Sequence, residues 1–374
     1  MKLKLKNTPE QIELIKAMGS KNQTEAREAN EAFAAFVGPV IQEVLRHAGT
    51  ASAIYTDAAY DEDDNPSFPL DLYYNAGDNH VTVWSQGMAG GLPSSHLEGM
   101  NELKIATYRL DSAVSFLKRY ARRGRLDVVS KAVERMAQEV LVKQERNAWA
   151  VILKALAEAS TGSEDHLVAA GTAGQFKVAD LNTLMTRIKR INQSFAGGTP
   201  ENAYSNGITD LYVSPEVKAE IRGFAYQPMN SRAGVAAGTS SAGYTSDAIP
   251  LPDAVREDIY RNAGTSEIFG VNIVEMNEFG KSQKYNTLFD EFDSGNISPD
   301  GGAFATAGEE VAVGVDNSRG AFIRPVAQQS DSGSTFVALA DDQYTQRADK
   351  MGFYGSLEEG RVCIDARAVC GIII

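Results

Sequence analysis

The chain is predicted to be an α+β protein, in which helices gather early, strands come mostly late, and the two never alternate regularly. Three observations predict this. Apolar residues keep helical spacing without a Pro or Gly from Leu126 to Ser160. Period-two alternation recurs at Val271/Ile273, Val311/Val313/Val315 and Phe336–Ala340, and over the closing residues Val362–Ile374. No internal repeat relates one part of the chain to another.

From the N-terminus, Thr8-Pro9-Glu10-Gln11 carries the cap, N1 proline and N3 Gln of a helix start. Ile12, Ile15 and Met18 form its stripe, and Gly19 closes it. A second helix opens at Asn22 and carries Ala29, Phe33, Phe36 and Val37, with Gly38-Pro39 expected to break it before a further turn through Ile41, Val44 and Leu45. Short helices on flexible joints suit an arm better than a core. Asp57 to Pro69 is an acidic, proline-bearing connector. Strands are expected at Leu70–Tyr74 and His80–Ser85, followed by a glycine-rich excursion from Gln86 to Asn101 and an alternating return from Leu103 to Leu110. Together these predict a long hairpin arm. Loops beyond about 12–15 residues are uncommon and usually functional or disordered.

The stretch from Leu126 to Ser160 sets Val129, Val133, Met136, Val140, Ala148, Ile152 and Leu156 on one face, with Gly162 just past its end. At about 1.5 Å per residue such a rod spans about 50 Å. After a loop, Asp180 is expected to cap a helix bearing Leu181, Leu184, Met185, Ile188 and Ile191. Asp210–Val213 runs as a strand into a helix capped by Ser214, started by Pro215 and ended by Gly223. Residues 224–250 predict a mobile loop and Pro252–Asn262 a short helix. Val362, Ile364, Ala366, Ala368, Cys370, Ile372 and Ile374 make the apolar face of a final long strand.

With 374 residues there is ample length for two or three domains and a buried core. A net charge of −13 argues against a protein whose task is gripping nucleic-acid phosphate. No window reaches the roughly 18 apolar residues of a membrane span. The start, Met1-Lys-Leu-Lys-Leu-Lys, lacks a signal-peptide core, and no removed leader is expected. The two cysteines, Cys363 and Cys370, would point to opposite faces of one strand and not pair, which suits a reducing, cytosolic setting.

Motifs that could carry chemistry fail on inspection. Gly280-Lys281-Ser282 ends like a phosphate loop, but the glycine required five residues earlier is Glu275. Asp61-x-Asp63-x-Asn65 starts like a calcium loop, yet its sixth position is Pro66 and its twelfth Leu72. His47, His80, His96 and His166 have no metal-site spacing. Gly238-Thr-Ser240-Ser241-Ala-Gly243 is not a nucleophile elbow. Lys118-Arg-Tyr-Ala-Arg122-Arg123-Gly-Arg125 is the one basic cluster, read as a solvated segment ahead of contact with nucleic acid or an acidic neighbour. Trp84 and Trp149 read as packing residues. Hence no catalytic, cofactor-binding or metal-ligating residue is assigned, and the chain is expected to be no enzyme.

The order of elements carries a resemblance. Tyr120-Ala-Arg-Arg-Gly-Arg-Leu-Asp127 leads into a helix bearing Lys143-Gln-Glu-Arg-Asn-Ala-Trp149. Asp210-Leu-Tyr-Val-Ser-Pro-Glu-Val217 follows, and Arg347-Ala-Asp-Lys-Met-Gly-Phe-Tyr354 precedes Val362-Cys-Ile-Asp-Ala-Arg-Ala-Val369. In this order and spacing, over nearly the whole chain, the sequence resembles the major capsid protein of tailed bacteriophages, the Hong-Kong-97-type fold.

That resemblance implies a shell protein with an N-terminal arm at 1–56 and an E-loop with connectors at 57–110. A peripheral domain at 111–200 plus 335–374 would be spined by the long helix, and 201–334 would form an axial domain. It implies self-assembly as hexamers and pentamers into an icosahedral head around double-stranded DNA, in the virion after assembly in the host cytoplasm. Partners would be further copies of the chain, a separate scaffolding protein, a portal, decoration proteins in some particles, and weak, non-specific DNA contact, with no membrane and no cofactor. Some relatives join subunits by a lysine–asparagine bond. Here 86–102 holds no lysine and the nearest is Lys104, so no cross-link is expected. The alternatives are an encapsulin-like bacterial nanocompartment shell and an enzyme with a site the sequence hides.

Overall fold

Helix and strand starts follow the capping chemistry in a computed structural model, which describes residues 8–47, 49–61, 65–69, 102–159, 166–191, 207–224, 228–230, 248–250, 254, 267–292, 303–328, 335–341 and 349–374. In chain order the elements are α1 (Pro9–Met18), α2 (Gln23–His47), β1 (Thr56–Asp61), β2 (Ser67–Pro69), β3 (Glu102–Lys104), β4 (Tyr108–Leu117), α3 (Lys118–Arg122) and α4 (Leu126–Ala159). Then come β5 (Leu167–Ala169), α5 (Val178–Ile191), β6 (Asp210–Val213), α6 (Pro215–Gly223), β7 (Pro228–Asn230), β8 (Ala248–Pro250), β9 (Glu267–Ile268), β10 (Val271–Glu275) and α7 (Lys284–Phe292). The chain closes with β11 (Val311–Val315), β12 (Phe322–Gln328), β13 (Val337–Asp341), β14 (Lys350–Glu359), β15 (Val362–Cys363) and β16 (Val369–Ile373). The α+β expectation matches this mixture. The elements fall into two compact units: α1 through α4 as far as Trp149 with β12–β15, and α4 from Ala150 through β11 with β16.

In unit one, a six-stranded sheet runs β1-β12-β14-β13, with β15 on β12 and β4 along β14. The apolar stripe of α4 meets it: Val129, Val133, Met136 and Val140 share a core with Phe116, Val326, Met351, Phe353 and Leu357. Helices α1 and α2 join the same core through Ile15, Met18, Phe33, Val37 and Ile41. Gly38-Pro39 does not break α2, as the sequence suggests it should; Pro39 sits inside a helix of 25 residues. An interior proline costs about 3 kcal/mol. Full burial of Phe33, Val37 and Ile41 on one face stabilises by roughly 1.5–3 kcal/mol per side chain, which outweighs it. The helix therefore continues as a packed element instead of a jointed arm. β2 and β3 pair antiparallel through Ser67↔Lys104 and Pro69↔Glu102, the paired base of the expected hairpin; its strands at 70–85 and tip at 86–101 lie outside the described residues.

In unit two, a six-stranded sheet runs β5-β16-β11-β6-β10-β9. β6 and β10 pair parallel, with α6, β7, β8 and β9 between them in the chain, so the pair does not amount to a regular βαβ alternation. Leu181, Leu184, Ile188 and Ile191 of α5 and Val217 and Ile221 of α6 pack with Leu211, Ile273, Ala312 and Ile372 of the sheet. Ser214 caps α6 as expected, accepting from Val217 N at 3.1 Å. Asp180 caps differently from expectation. α5 begins at Val178, and the Asp180 carboxylate reaches back to accept from Lys177 N at 2.9 Å and Gly171 N at 3.0 Å, the acidic half of a capping box.

The expected final strand is two strands. Asp365 accepts from Arg367 N at 3.0 Å and turns residues 366–368 into a 3-10 turn between β15 and β16. A local carboxylate–amide bond competes with the ladder there. Neither cysteine forms a disulfide; Cys370 is fully buried and Cys363 partly so. β7 and β8 pair across residues 231–247, within the expected mobile loop at 224–250, where Phe224 is buried; the rest of that loop, and the expected helix at 252–262 apart from the helical Ala254, lie outside the described residues.

Candidate functional site

Among the described residues, no three His, Cys, Asp or Glu side chains lie where they could hold a metal ion, and no helix is long and apolar enough to cross a membrane. The residues singled out by sequence are dispersed. His166 is buried with Nδ1 2.8 Å from the Val369 carbonyl; His80, His96, Trp84 and Asp63 lie outside the described residues, as does the side chain of His47. Gly280 and Ser282 take positive φ, 123° and 59°, in a turn that leads into α7. Trp149 is fully buried and its Nε1 donates to Thr50 Oγ1 and Glu145 Oε1, both at 3.2 Å. Glu145 also accepts from Thr50 N at 3.0 Å and Ala51 N at 3.1 Å, so one carboxylate organises the chain's entry to β1.

The densest polar cluster of unit one centres on Glu359, the last residue of β14, which is fully buried. It accepts from Arg324 Nε at 2.8 Å, Tyr108 OH at 2.9 Å, Gln144 Nε2 at 3.0 Å and Arg361 Nη2 at 3.3 Å. Arg324 also reaches Asp57 at 3.5 Å, and the Arg361 guanidinium lies 4.6 Å over the Tyr55 ring. Burial, then the Glu359 charge, pushes the Tyr108 phenol up to about 12. Burial raises Tyr55 as well, against the lowering pull of Arg361. Both phenols stay protonated at neutral pH and donate. The cluster ties β1, β4, α4, β12 and β14 together, and no group in it is poised as a base or nucleophile. Sequence reasoning missed it because its hydrogen-bonded partners lie up to 267 positions apart and follow no motif.

Unit two holds two buried carboxylates at the ends of β11. Glu310 accepts from Ser214 Oγ at 2.5 Å, and burial raises its carboxyl above the usual range. Burial raises Asp316 likewise, with Ser318 and Arg319 opposing. Burial also acts to raise Asp365, but the hydrogen bonds and charge of Arg367, helped by Arg319, hold it below the ordinary value. Each such carboxylate serves a cap or a turn.

Surfaces are more informative than cavities. Lys118 N donates to the Asp349 carbonyl at 3.0 Å, and β4 pairs with β14 from Tyr108↔Glu359 to Leu117↔Lys350. In an antiparallel ladder this directs the backbone groups of alternate residues 109, 111, 113, 115 and 117 to the opposite edge. Among the described residues no other strand pairs there, and Arg109, Asp111, Ala113 and Ser115 are exposed. Arg109 and Asp111 are bridged at 2.8 Å; Ala113 and Ser115 leave the rest of this edge without a charge, proline or bulge. On α2 and β13, which pack together, Phe36 and Leu339 remain 47% and 55% exposed, with Val40 exposed too.

No family model matches the chain, and no curated protein matches it. Solved structures do. The chain is similar to the capsid of the cyanophage P-SCSP1u at 12% identity over 87% of each chain, with a TM-score of 0.47. It is similar to the capsid of the native GTA particle at 12% identity over 87% of this chain and 91% of that one, with a TM-score of 0.49. It is also similar to the holo-SrpI encapsulin complex from Synechococcus elongatus PCC 7942, at 11% identity over 73% of this chain and 75% of that one, with a TM-score of 0.39.

Proposed function

We propose that the chain is a major capsid protein, a structural subunit that assembles with copies of itself, as hexamers and pentamers, into an icosahedral head enclosing double-stranded DNA. The observation that carries this is the outer edge of β4, along which no other strand pairs among the described residues. It is a strand of ten residues with alternate backbone groups turned outward, and monomeric proteins guard such edges with charges, prolines or bulges. The exposed Phe36, Val40 and Leu339 support the same reading, since large apolar side chains facing water mark surfaces that meet a partner. Closed shells join one surface to a different surface of the next copy, and these features supply distinct surfaces on unit one.

In this reading the four-part division, 1–56, 57–110, 111–200 with 335–374, and 201–334, describes what each segment does in the shell. α1 and α2 contribute to their own unit's core, so the N-terminal part offers a neighbour its outer face, Phe36 and Val40, more than a free arm. A scaffolding protein and a portal complete the assembly in the host cytoplasm, and contact with DNA is weak and non-specific.

The test is electron microscopy of the purified chain, expressed alone and with a candidate scaffolding protein, together with sedimentation velocity. Closed shells or free hexameric and pentameric capsomers are expected. A chain that stays monomeric under every condition refutes the proposal; shells that exclude DNA and fill with an enzyme would move it to the nanocompartment reading.

A further inference from the structure

Unit two carries a strained, exposed aromatic residue at one edge of its sheet and a groove at the other. β9 and β10 pair through Ile268↔Val271, so Phe269 and Gly270 alone form the turn between them. Both take positive φ, 53° and 80°, as in the two-residue hairpin turns where Asn, Asp or Gly is the ordinary choice. A bulky side chain in this left-handed region crowds its own backbone. Phe269 is also 47% exposed, so burial within its own chain offsets little of that strain. A two-residue turn needs no phenyl ring, and one held out at a sheet edge is placed to enter another surface. Glu267, exposed two positions earlier, gives the same tip an acidic flank.

β9 stands at one end of the six-stranded order and β5 at the other. Between β5 and α5 lies a groove of about 600 Å³. Leu167, Val168 and Ala169 of β5 line one side of it; Thr183, Thr186 and Arg190, at helical spacing on α5, line the other. The threonine hydroxyls are used within the helix. Thr183 Oγ1 donates to the Ala179 carbonyl at 2.9 Å and Thr186 Oγ1 to the Asn182 carbonyl at 2.8 Å, so each side chain adds chiefly a methyl group to the wall. The charged residues of the lining are Arg187 and Arg190, which makes the groove apolar with a basic rim. Such a surface suits an aromatic ring with an acidic neighbour. The ring takes the apolar wall and the guanidinium stems, and the carboxylate meets the positive charge.

We propose that the Phe269-Gly270 turn of one copy docks in the β5–α5 groove of the next, with Phe269 against β5 and the threonine methyls, and Glu267 paired with Arg190. A second copy is the occupant because turn and groove belong to one chain, lie at opposite edges of one sheet and carry opposite charge. Two different surfaces joined in this way make a heterologous contact, which repeats from copy to copy and can close into a ring. Closure into capsomers rests on the shell reading; the pairwise contact does not.

The experiment is sedimentation velocity of the full chain over a concentration series, with thermal melting at a dilution where the chain is unassembled. Phe269→Asn removes the ring and supplies a residue that accepts positive φ. It is expected to weaken association about tenfold or more while melting at or above the parent's temperature. A residue kept only for its own hairpin would show the reverse, a lower melting temperature and unchanged association. Arg190→Glu and Glu267→Arg should each weaken association, whereas the two variants mixed in equal amounts should associate nearly as the parent does, because every contact between unlike chains then pairs opposite charges. Association as tight for Phe269→Asn as for the parent, or a mixture no better than either charge variant alone, overturns the proposal and leaves the shell reading standing. A parent chain that stays monomeric overturns both. Rings or filaments that are lost with Phe269→Asn but never close into shells support the contact and overturn the shell reading.

Discussion

Glu359→Ala is the most demanding test of how unit one is held together. The parent carboxylate is fully buried and receives four donors, two of them from Arg324 and Arg361, whose side chains are 8% and 5% exposed. Removing it leaves two buried cations whose remaining counter-ion is Asp57, 3.5 Å from Arg324 and 43% exposed. Breaking a buried ion pair by deleting one partner costs about 3–5 kcal/mol, because the surviving charge stays desolvated. Asp57 offsets some of this for Arg324 but is placed to do little for Arg361, so about 4 kcal/mol is expected. For a unit of this size that corresponds to roughly 8–16 °C in Tm.

Glu359→Gln keeps the shape and one acceptor oxygen but loses the charge, and should cost about half as much, near the roughly 1.5–3 kcal/mol of a charged hydrogen bond. The assay is urea unfolding followed by circular dichroism and by the fluorescence of buried Trp149, with unchanged slope as the control that the unfolded state is the same. The triple variant Glu359→Leu, Arg324→Met, Arg361→Met separates the causes. If the penalty is stranded charge, the triple variant recovers most of the stability lost by Glu359→Ala. An alanine variant within about 1 kcal/mol of the parent, or a triple variant no better than the single, refutes the reasoning.

Pro39 is exposed within α2, so Pro39→Ala restores a helix hydrogen bond and should stabilise unit one by about 1–3 kcal/mol in the same urea assay. A Cβ on Gly371 would sit 2.7 Å from Leu156 Cδ2, 3.0 Å from Leu167 Cδ2 and 3.2 Å from the Ala312 carbonyl; Gly371→Val should destabilise unit two by roughly 1–3 kcal/mol, read as a lower Tm by calorimetry. Burial raises the folded Glu310 carboxyl above its ordinary value, so the folded state holds that proton more tightly than the unfolded chain. Its contribution to stability therefore falls as pH rises from the unfolded pKa through the folded one. Glu310→Gln should melt above the parent at about pH 7 and match it near pH 4 or below; a constant difference across that range would contradict the assignment.

Helices announced themselves wherever one face was apolar and the caps were local. The stripe from Val129 to Leu156 and the Ser214–Pro215 start of α6 were legible because their causes lie within a few residues of each other. The same local logic misplaced the break at Gly38-Pro39, since the force that carries α2 through proline comes from Phe353 and Leu357, over three hundred residues further along. It also merged β15 and β16 into one strand, because apolar alternation cannot reveal that Asp365 turns the chain between them.

What the sequence alone determined, then, is where the chain can be helical or extended and which motifs of catalysis or metal binding it lacks; these depend on side chains near one another along the backbone. Only the tertiary structure decided that Glu359 would gather Arg324, Gln144 and Tyr108, and that no other strand among the described residues would pair with the outer edge of β4. Those juxtapositions arise from long-range packing of apolar faces, which brings together polar groups whose sequence separation carries no periodic trace.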